Sequence, residues 1–284
     1  MSLIPENKPK KPDTEPKVFF FFGGTMSGKS YTANEFPDPL ILNTDDNAKK
    51  FSTPSIDIKP VREMVKKQVK VNVKNPKTGK VDVKTKTVER YDIVKPTHKI
   101  LQEVLGDLAE YQKTSDKPYR TLVIDVIDDI ANSEEEYILQ YFNEVVKSDK
   151  VSDYEYIGDI PHAGGWGRFN SFFRQIIQLI REFGNGIEYI IFVSRQKNGG
   201  TDEKPEFIPA IRASLVNEIN GFGDFMIHFQ KLGQNYSRSA DYKRKAYSSE
   251  DITNPQIKDI LMNTRYALVD SDGKGNLKTQ KVKK

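Results

Sequence analysis

The stretch that decides the fold is Val18–Ser30, with the sequence VFFFFGGTMSGKS. Its first part, Val18–Phe22, is a short continuous apolar run, which is typical of a strand buried on both faces of a sheet. Its second part, Gly23–Ser30, matches the pattern GxxxxGK followed by Ser or Thr at every fixed position. An apolar strand that runs directly into this glycine-rich pattern predicts a phosphate-binding loop.

The residue types in this loop suit a nucleoside triphosphate. Glycines let successive backbone N–H groups turn towards phosphate oxygens, and the helix that follows adds its positive end. We expect Lys29 to reach the β- and γ-phosphates and the Ser30 hydroxyl to complete the shell of a bound Mg²⁺. A chance glycine-rich turn is the alternative. The predicted cofactors are ATP and Mg²⁺, and the predicted nucleotide-binding set is Gly23, Gly24, Thr25, Met26, Ser27, Gly28, Lys29, Ser30 and Tyr31.

A phosphate-binding loop needs an acidic partner for the metal, and a second apolar run supplies one. Thr121–Ile124 is followed directly by Asp125. A carboxylate at the end of a buried strand is the expected Mg²⁺ partner, either directly or through water. Asp125 and Ser30 are therefore the predicted metal ligands. Asp128 and Asp129 are interpreted as acidic residues in the first turn of a helix, where they complement its dipole.

A further acidic pair, Asp45 and Asp46, follows the apolar run Leu40–Leu42. A carboxylate at this strand end can orient or deprotonate an attacking water, which makes Asp45 a candidate catalytic residue together with Lys29. The competing interpretation is a strand-end turn built from Asn43, Thr44 and Asp45. The residues alone leave both interpretations open.

Apolar runs alternate with amphipathic stretches along the chain. Further runs at Tyr189–Val193 and Phe225–Phe229 read as buried strands. Apolar stripes with helical period lie at residues 100–108, 137–146 and 169–180. Buried strands that alternate with amphipathic helices predict an α/β domain with a mostly parallel sheet flanked by helices.

The order of these landmarks resembles the RecA-like P-loop NTPases encoded by bacteriophages, a group that includes single-strand annealing recombination proteins. The resemblance rests on the loop Gly23–Ser30, the strand end Thr44–Asp46, the strand ending at Asp125, the strand at Tyr189–Ser194 and Gly165–Phe169 at the start of a long helix. It covers about residues 18–55 and 97–230. It implies a RecA-like core, an ATP site and a homo-oligomer that binds single-stranded DNA.

The resemblance also implies particular residue roles, and this sequence departs from some of them. The catalytic carboxylate of the family is usually Glu, whereas Asp45 is one methylene shorter, which affects the expected rate of hydrolysis. At the end of the fourth strand the family places Gln, Asn or His, whereas the matching position here is Arg195. The implied DNA-facing loops are about Ser148–Arg168 and Gln196–Pro209. For the first of these, an ordinary surface loop with Trp166 packed on the core is the alternative.

A basic insertion interrupts the α/β rhythm. Two stretches that alternate Val with polar residues, Val69–Val73 and Val81–Val88, flank the turn sequence Asn75–Lys80, which predicts an inserted β-hairpin arm at residues 56–96. Ile56–Lys99 holds 11 Lys and 2 Arg against 3 Asp and 2 Glu. It carries +8, and since the whole chain carries +4, the rest carries −4. Such an arm suits a phosphate backbone, or it is a solvated hairpin whose lysines block edge-to-edge aggregation.

Composition limits the remaining function classes. The chain of 284 residues has no Cys and only three His, which excludes disulfides, thiol catalysis and Cys- or His-based metal centres. Its longest apolar runs are far below the roughly 18 residues of a membrane span, so we expect a cytoplasmic protein without membrane contact, in the host cytoplasm if it is phage-encoded. Residues 1–17 read as a flexible tail, 18–230 as the nucleotide-binding core and 231–284 as a basic C-terminal extension.

Two functional hypotheses follow. The first is a Mg²⁺-dependent ATPase that binds single-stranded DNA in recombination, annealing or replication. The second is a nucleotide-sensing protein with weak hydrolysis, whose basic arm contacts a protein partner. A small-molecule kinase fits less well, because the sequence has no Arg-rich lid. A further basic cluster consists of Arg238 and Lys243–Lys245. It either contacts the phosphates bound by a neighbouring subunit or is a solvated segment.

Overall fold

The structure is a computed structural model that describes residues 15–45, 52–74, 81–146, 153–183, 186–201 and 203–270. Several predicted features lie wholly or partly outside those residues. They include the N-terminal tail up to residue 14, Asp46, the arm turn at 75–80, residues 148–152 and 202 of the two predicted DNA-facing loops, and the C-terminal tail beyond residue 270.

The described residues form ten strands and six α-helices. The strands are β1 (Val18–Gly23), β2 (Pro39–Asn43), β3 (Ser55–Asp57), β4 (Val61–Lys74), β5 (Val81–Lys95), β6 (Thr121–Asp125), β7 (Tyr189–Asn198), β8 (Phe207–Pro209), β9 (Phe225–Leu232) and β10 (Asn235–Lys243). The helices are α1 (Lys29–Ala33), α2 (Thr97–Thr114), α3 (Ile127–Tyr141), α4 (Gly164–Arg181), α5 (Ala213–Asn220) and α6 (Pro255–Met262). One π-helical turn, Phe142–Val146, continues α3.

Eight of these strands form the central sheet, in which the order is β10-β9-β1-β7-β6-β2-β3 and β8 pairs with the end of β7. The six strands from β9 to β3 are parallel, and β10 runs antiparallel to β9. The prediction of a mostly parallel sheet flanked by helices is confirmed. Because parallel strands end at the same edge, the carboxyl ends of β1, β2, β6 and β7 meet there, and this edge carries the site.

The phenylalanine run explains how the sheet is buried on both faces. Phe19 and Phe21 point into a cluster with α1 and α6, whereas Phe20 points into the opposite cluster with α2, α3, α4 and α5. All three side chains have no exposed surface. A strand covered by helices on both faces needs apolar residues at successive positions, which is why β1 reads as a continuous run.

The C-terminal residues predicted as an extension contribute to the sheet and its core. β10 pairs with β9 along its length, and Ile257, Ile260 and Leu261 of α6 are buried in the cluster that contains Phe19. Asp224, just before β9, accepts hydrogen bonds from the Val18 backbone and the Tyr247 hydroxyl. These contacts fix both ends of the described chain to the central strands.

The inserted arm is a two-stranded hairpin in which β4 and β5 pair antiparallel from Val61 opposite Lys95 to Lys74 opposite Val81. Its two strands lie within residues 56–96 and extend beyond the alternating stretches Val69–Val73 and Val81–Val88. Its base docks against the π-helical turn after α3. The Arg90 guanidinium donates to Asp92 of β5 (2.6 Å) and to Glu144 of that turn (2.6 Å), and Lys67 pairs with both carboxylates. The hairpin therefore leaves the main sheet as a separate ribbon with an ion-paired base.

No helix in the described part of the chain is long and apolar enough to cross a membrane.

Candidate active site

The glycine-rich loop joins β1 to α1, and at two of its positions the backbone conformation or a close neighbour requires glycine. Gly23 has φ 156°, and a Cβ there would lie 2.1 Å from the carbonyl oxygen of Phe229 on the neighbouring β9. Gly28 has φ 98° and precedes α1 in the left-handed region, which disfavours residues with a side chain. The loop can therefore close tightly over the sheet edge and enter the helix.

Lys29 lies across the inside of the loop. Its ammonium group donates to the carbonyl oxygens of Gly23 (2.8 Å) and Gly24 (2.7 Å) and lies 3.5 Å from Ser27 Oγ. Burial lowers the pKa of the Lys29 ammonium, and the nearby Asp125 carboxylate opposes that shift. A buried ammonium group at this position is available for phosphate oxygens that replace the two carbonyl groups.

The predicted metal ligands are in contact. Ser30 Oγ donates a hydrogen bond of 2.6 Å to Oδ2 of Asp125. Asp125 is 3% exposed, and burial raises its pKa to about 6, with a further upward contribution from Asp45 and a downward one from the Ser30 hydroxyl. A desolvated carboxylate beside a hydroxyl is a pair of oxygen donors that favours a cation.

The remaining loop residues that the sequence predicts as nucleotide ligands differ in exposure. Ser27 is buried, whereas Thr25, Met26 and Tyr31 are exposed. Met26 adopts φ 58° at the outer tip of the loop, and its side chain is 75% exposed. Tyr31 lies directly after Ser30 on α1 and is 52% exposed.

Arg195 occupies the acidic corner beside the loop. Its guanidinium donates to both oxygens of Asp129, at 2.6 and 3.0 Å, and this interaction is the main reason why its pKa is raised. Its Nη2 also lies 3.9 Å from Oδ2 of Asp45. Thr44 Oγ1 lies 3.2 Å from the Asp129 carboxylate and accepts the Val126 N–H at 2.9 Å. The ends of β2, β6 and β7 are thus joined by one polar network.

Asp128 does more than the helix-dipole interpretation suggests. It lies in the first turn of α3, as predicted, but it is 5% exposed and accepts hydrogen bonds from Ser194 Oγ and the Arg195 N–H, each at 2.8 Å. Burial raises the pKa of this carboxyl. Asp128 therefore fixes the start of α3 to the end of β7 and so holds Arg195 in place.

The sequence gives no direct signal for the contact between Gln196 and His228 on the other side of the loop. Gln196 Oε1 lies 3.1 Å from His228 Nε2. The imidazole stacks on Phe22 with ring centroids 4.5 Å apart and is 6% exposed. A Cβ on Gly24 would lie 3.6 Å from Gln196 Nε2, so the carboxamide borders the phosphate-binding loop.

The charge of the site suits a metal-bound polyphosphate. Around the loop the described residues place two cations, Lys29 and Arg195, among four carboxylates, Asp45, Asp125, Asp128 and Asp129. The described residues contain no group of three or more His, Cys, Asp or Glu side chains that could hold a metal alone. Ser30 and Asp125 are therefore a partial donor set that fits Mg²⁺, an ion that usually keeps waters and phosphate oxygens as its other ligands.

The two predicted DNA-facing loops contain paired strands or packed side chains. Gln196–Asn198 of β7 pairs with Phe207–Pro209 of β8 as an antiparallel ribbon. In the other segment, residues 148–152 lie outside the described part of the chain, and Trp166 packs on the core with the Arg212 guanidinium 3.4 Å from its ring centroid. The packing of Trp166 agrees with the alternative interpretation of this segment.

The C-terminal cations are engaged within their own chain. Arg238 donates to Thr32 Oγ1 (3.0 Å) and to the carbonyl oxygen of Ile260 (3.1 Å). Arg244 donates to the carbonyl oxygen of Gly221 (2.9 Å). These contacts favour a structural role over a contact to the phosphates of a neighbouring subunit.

Comparison with known proteins identifies a family for most of the chain. A family model described as an AAA domain matches residues 15–252. No curated protein matches the chain. The matched region begins before β1 and ends after β10, so it contains the phosphate-binding loop, the arm and every residue of the site.

Proposed function

The chain belongs to the AAA domain family of P-loop NTPase-type proteins, and from this premise we propose that it binds ATP with Mg²⁺ and hydrolyses it at the loop Gly23–Ser30. The observation that carries the proposal is the contact of Ser30 with Asp125 directly beside the buried ammonium of Lys29. Lys29 and Ser30 begin α1 after β1, and Asp125 ends β6, and β7 separates these two strands in the sheet. A glycine-rich turn formed by chance has no reason to meet a desolvated carboxylate there.

Each group has a role in binding. Lys29 exchanges its two loop carbonyl groups for oxygens of the β- and γ-phosphates, and the backbone N–H groups of the loop bind the remaining phosphate oxygens. Ser30 and Asp125 would hold Mg²⁺, which would offset phosphate charge and polarise the bond to the leaving group. The upward shift in the pKa of Asp125 reflects the cost of a buried charge that a bound cation offsets.

For hydrolysis, Asp45 is the proposed carboxylate for the attacking water. It lies 3.9 Å from Arg195 at the end of β2, next to the β6 end that carries Asp125. In the reaction a water oxygen bonds to the γ-phosphorus, its proton passes to the carboxylate, and the bond between the γ-phosphorus and the bridging oxygen breaks to leave ADP. Thr44 and Asp129 hold Arg195 and the strand end in position.

The proposed partner is single-stranded DNA, bound by the basic arm of a phage-type, RecA-like homo-oligomer that acts in recombination, annealing or replication. The arm and its flanks carry +8. In the arm base, Lys67 and Arg90 are already paired with Asp92 and Glu144, so the lysines farther along the ribbon supply the excess charge. Neutralising phosphates releases counterions and makes binding strongly dependent on salt. Residues 18–230 carry the proposed nucleotide site, and β10 and α6 complete the sheet and its core beside them.

Turnover measured against a titration of single-stranded DNA tests this proposal. We expect ATP hydrolysis that requires Mg²⁺ and rises with DNA, and DNA binding that weakens as salt increases. The double variant Lys84→Gln/Lys86→Gln should reduce the slope of log affinity against log salt by about one to two. Lys113→Gln/Lys117→Gln on α2 and the loop after it is the matched control with the same charge change. Absence of DNA binding at low salt with ATP present contradicts the proposed partner.

A second candidate is a nucleotide sensor whose arm contacts a protein. One observation favours it: Met64 and Tyr91 face each other across the arm base, and they are 59% and 66% exposed. Exposed apolar and aromatic side chains of this kind are common in protein interfaces. Unchanged DNA binding in Lys84→Gln/Lys86→Gln, together with loss of a protein partner in Met64→Ser/Tyr91→Ser, favours this candidate.

A further inference from the structure

His228 is a buried titratable group that the proposed chemistry does not use. It lies on β9 directly opposite Phe22, the residue before the phosphate-binding loop, and the two rings stack with an interplanar angle of 5°. Its ring contacts Phe22 of β1 and Gln196 of β7. A histidine that served only to fill this space would need no partners for its nitrogens, yet both nitrogens have one.

The two nitrogen contacts favour one tautomer of His228. Gln230 Nε2 lies 3.4 Å from His228 Nδ1, and an amide nitrogen can only donate, so Nδ1 accepts. In the neutral ring Nε2 then carries the proton and donates to Oε1 of Gln196 at 3.1 Å. The chain of donors runs from Gln230 through His228 to Gln196.

This direction decides which end of the Gln196 carboxamide faces the nucleotide. With Oε1 held by His228, the NH₂ group is the end that borders Gly24, since Nε2 is the nearest atom to a Cβ placed there. We propose that His228 is a positioning residue that holds the Gln196 NH₂ group towards the γ-phosphate. The inference rests on the proposed function, because it assigns a role beside the same loop.

The charged groups around His228 are compatible with a neutral ring. Burial lowers the pKa of the imidazole, Lys29 lowers it further, and Asp241 of β10 opposes the shift. The Asp241 carboxylate lies 3.9 Å from Nδ1. A neutral imidazole donates with one nitrogen and accepts with the other, as the relay requires.

The same relay leads away from the nucleotide. Gln196 pairs with Pro209 in the ribbon of β7 and β8, and the Phe207 ring of that ribbon lies 6.1 Å from the imidazole. A γ-phosphate that binds the Gln196 NH₂ group therefore acts on the segment that extends beyond the sheet edge.

The test compares the affinity for MgADP with that for a non-hydrolysable Mg²⁺–ATP analogue in the full-length protein, with His228→Phe and His228→Gln as a matched pair. Phe keeps the stacking on Phe22 but donates nothing, whereas the amide nitrogen of Gln can replace Nε2–H. We expect His228→Phe to lower the preference for the triphosphate by about tenfold, as the loss of one hydrogen bond to a charged group predicts. MgADP affinity should stay unchanged, and His228→Gln should restore the preference.

Three results overturn the inference. The first is an unchanged triphosphate preference in His228→Phe. The second is an equal loss in His228→Phe and His228→Gln, and the third is a parallel loss of MgADP affinity; each of these two indicates a packing role. Failure of the proposed function looks different: the wild-type protein would then bind neither nucleotide, or would bind both regardless of Lys29.

Discussion

Ser30 Oγ and Asp125 Oδ2 lie 2.6 Å apart although 95 residues separate them in the chain. Ser30 lies in the first turn of α1, which follows β1 through the glycine-rich loop, and Asp125 ends β6, with β7 between β1 and β6 in the sheet. The contact therefore depends on the order of three parallel strands. Because this contact joins the glycine-rich loop to a desolvated carboxylate, it places two oxygen donors of a candidate metal site together.

Removal of the Ser30 hydroxyl should uncouple nucleotide binding from Mg²⁺. In Ser30→Ala we expect the gain in ATP affinity on adding Mg²⁺ to fall by about tenfold, since one oxygen ligand and one charge-assisted hydrogen bond are lost. Titration calorimetry with Mg²⁺ and with a chelator measures this gain. Ser30→Thr keeps the hydroxyl and should keep the gain; an intact Mg²⁺ effect in Ser30→Ala would remove this residue from the metal site.

Asp125 should make the ligand-free protein less stable as pH rises. Its folded-state pKa of about 6 lies above the ordinary 3.8, so the folded protein retains a proton that the unfolded chain releases between these values. The free energy of unfolding then decreases through this window and levels off above it. Asp125→Asn should be more stable at pH 7, by on the order of 2–3 kcal/mol.

Urea unfolding from pH 3.5 to 8 checks the Asp125 prediction. The advantage of Asp125→Asn should disappear below the ordinary pKa of 3.8, and Mg²⁺–ATP should no longer stabilise the variant. A constant difference in stability at every pH would show that the carboxyl does not titrate as its burial requires.

Gly23 should be far less tolerant of substitution than its neighbour Gly24. A Cβ on Gly23 would lie 2.1 Å from the carbonyl oxygen of Phe229, whereas the nearest atom to a Cβ on Gly24 is 3.6 Å away. We expect Gly23→Ala to lower the free energy of unfolding by about 2–3 kcal/mol. Gly24→Ala should change it by less than about 1 kcal/mol. Equal values from denaturant unfolding would mean that β1 and β9 are not so closely apposed.

Asp45 should affect turnover and not binding. We expect Asp45→Asn to reduce kcat by about 100-fold, the typical contribution of a general base, while the dissociation constant for Mg²⁺–ATP stays within about threefold. Asp45→Glu keeps the carboxylate on a longer side chain and should retain turnover. Steady-state kinetics alongside equilibrium binding separates the two effects. If Asp45→Asn retains full turnover, the residue serves the strand-end turn.

The central strands and the loop were predictable because their physical requirements are local. A strand covered on both faces must be apolar at successive positions, and Val18–Phe22 satisfies this directly before the glycine-rich pattern. The position of Asp125 was predictable from the same rule, since it directly follows the apolar run Thr121–Ile124. The hairpin arm was predictable from its alternation and turn sequence, because both signals are local to residues 56–96.

The remaining features depend on contacts between distant parts of the chain. Gln196 and His228 lie on strands that flank β1, so nothing in either local sequence points to the other. β10, with the sequence NYSRSADYK, is a polar edge strand without a continuous apolar run. In the sequence Arg238 is compatible with a solvated cation, yet its guanidinium donates a hydrogen bond to Thr32 of α1. The ion pairs of Lys67 and Arg90 with Glu144 were not predictable, because they join the arm to the π-helical turn after α3, a distant part of the chain.

Calorimetric titration of Mg²⁺–ATP into the wild-type protein and Lys29→Ala tests the central claim most directly. The Lys29 ammonium lies inside the loop, 2.8 and 2.7 Å from two of its carbonyl oxygens. We predict that the wild-type protein binds Mg²⁺–ATP and that Lys29→Ala weakens binding by about 100-fold, as the loss of a charge-assisted phosphate contact implies. Lys113→Ala, on the exposed side of α2, should bind as the wild type does. Equal affinity in the wild-type protein and a folded Lys29→Ala variant would contradict the assignment of Gly23–Ser30 as the nucleotide site.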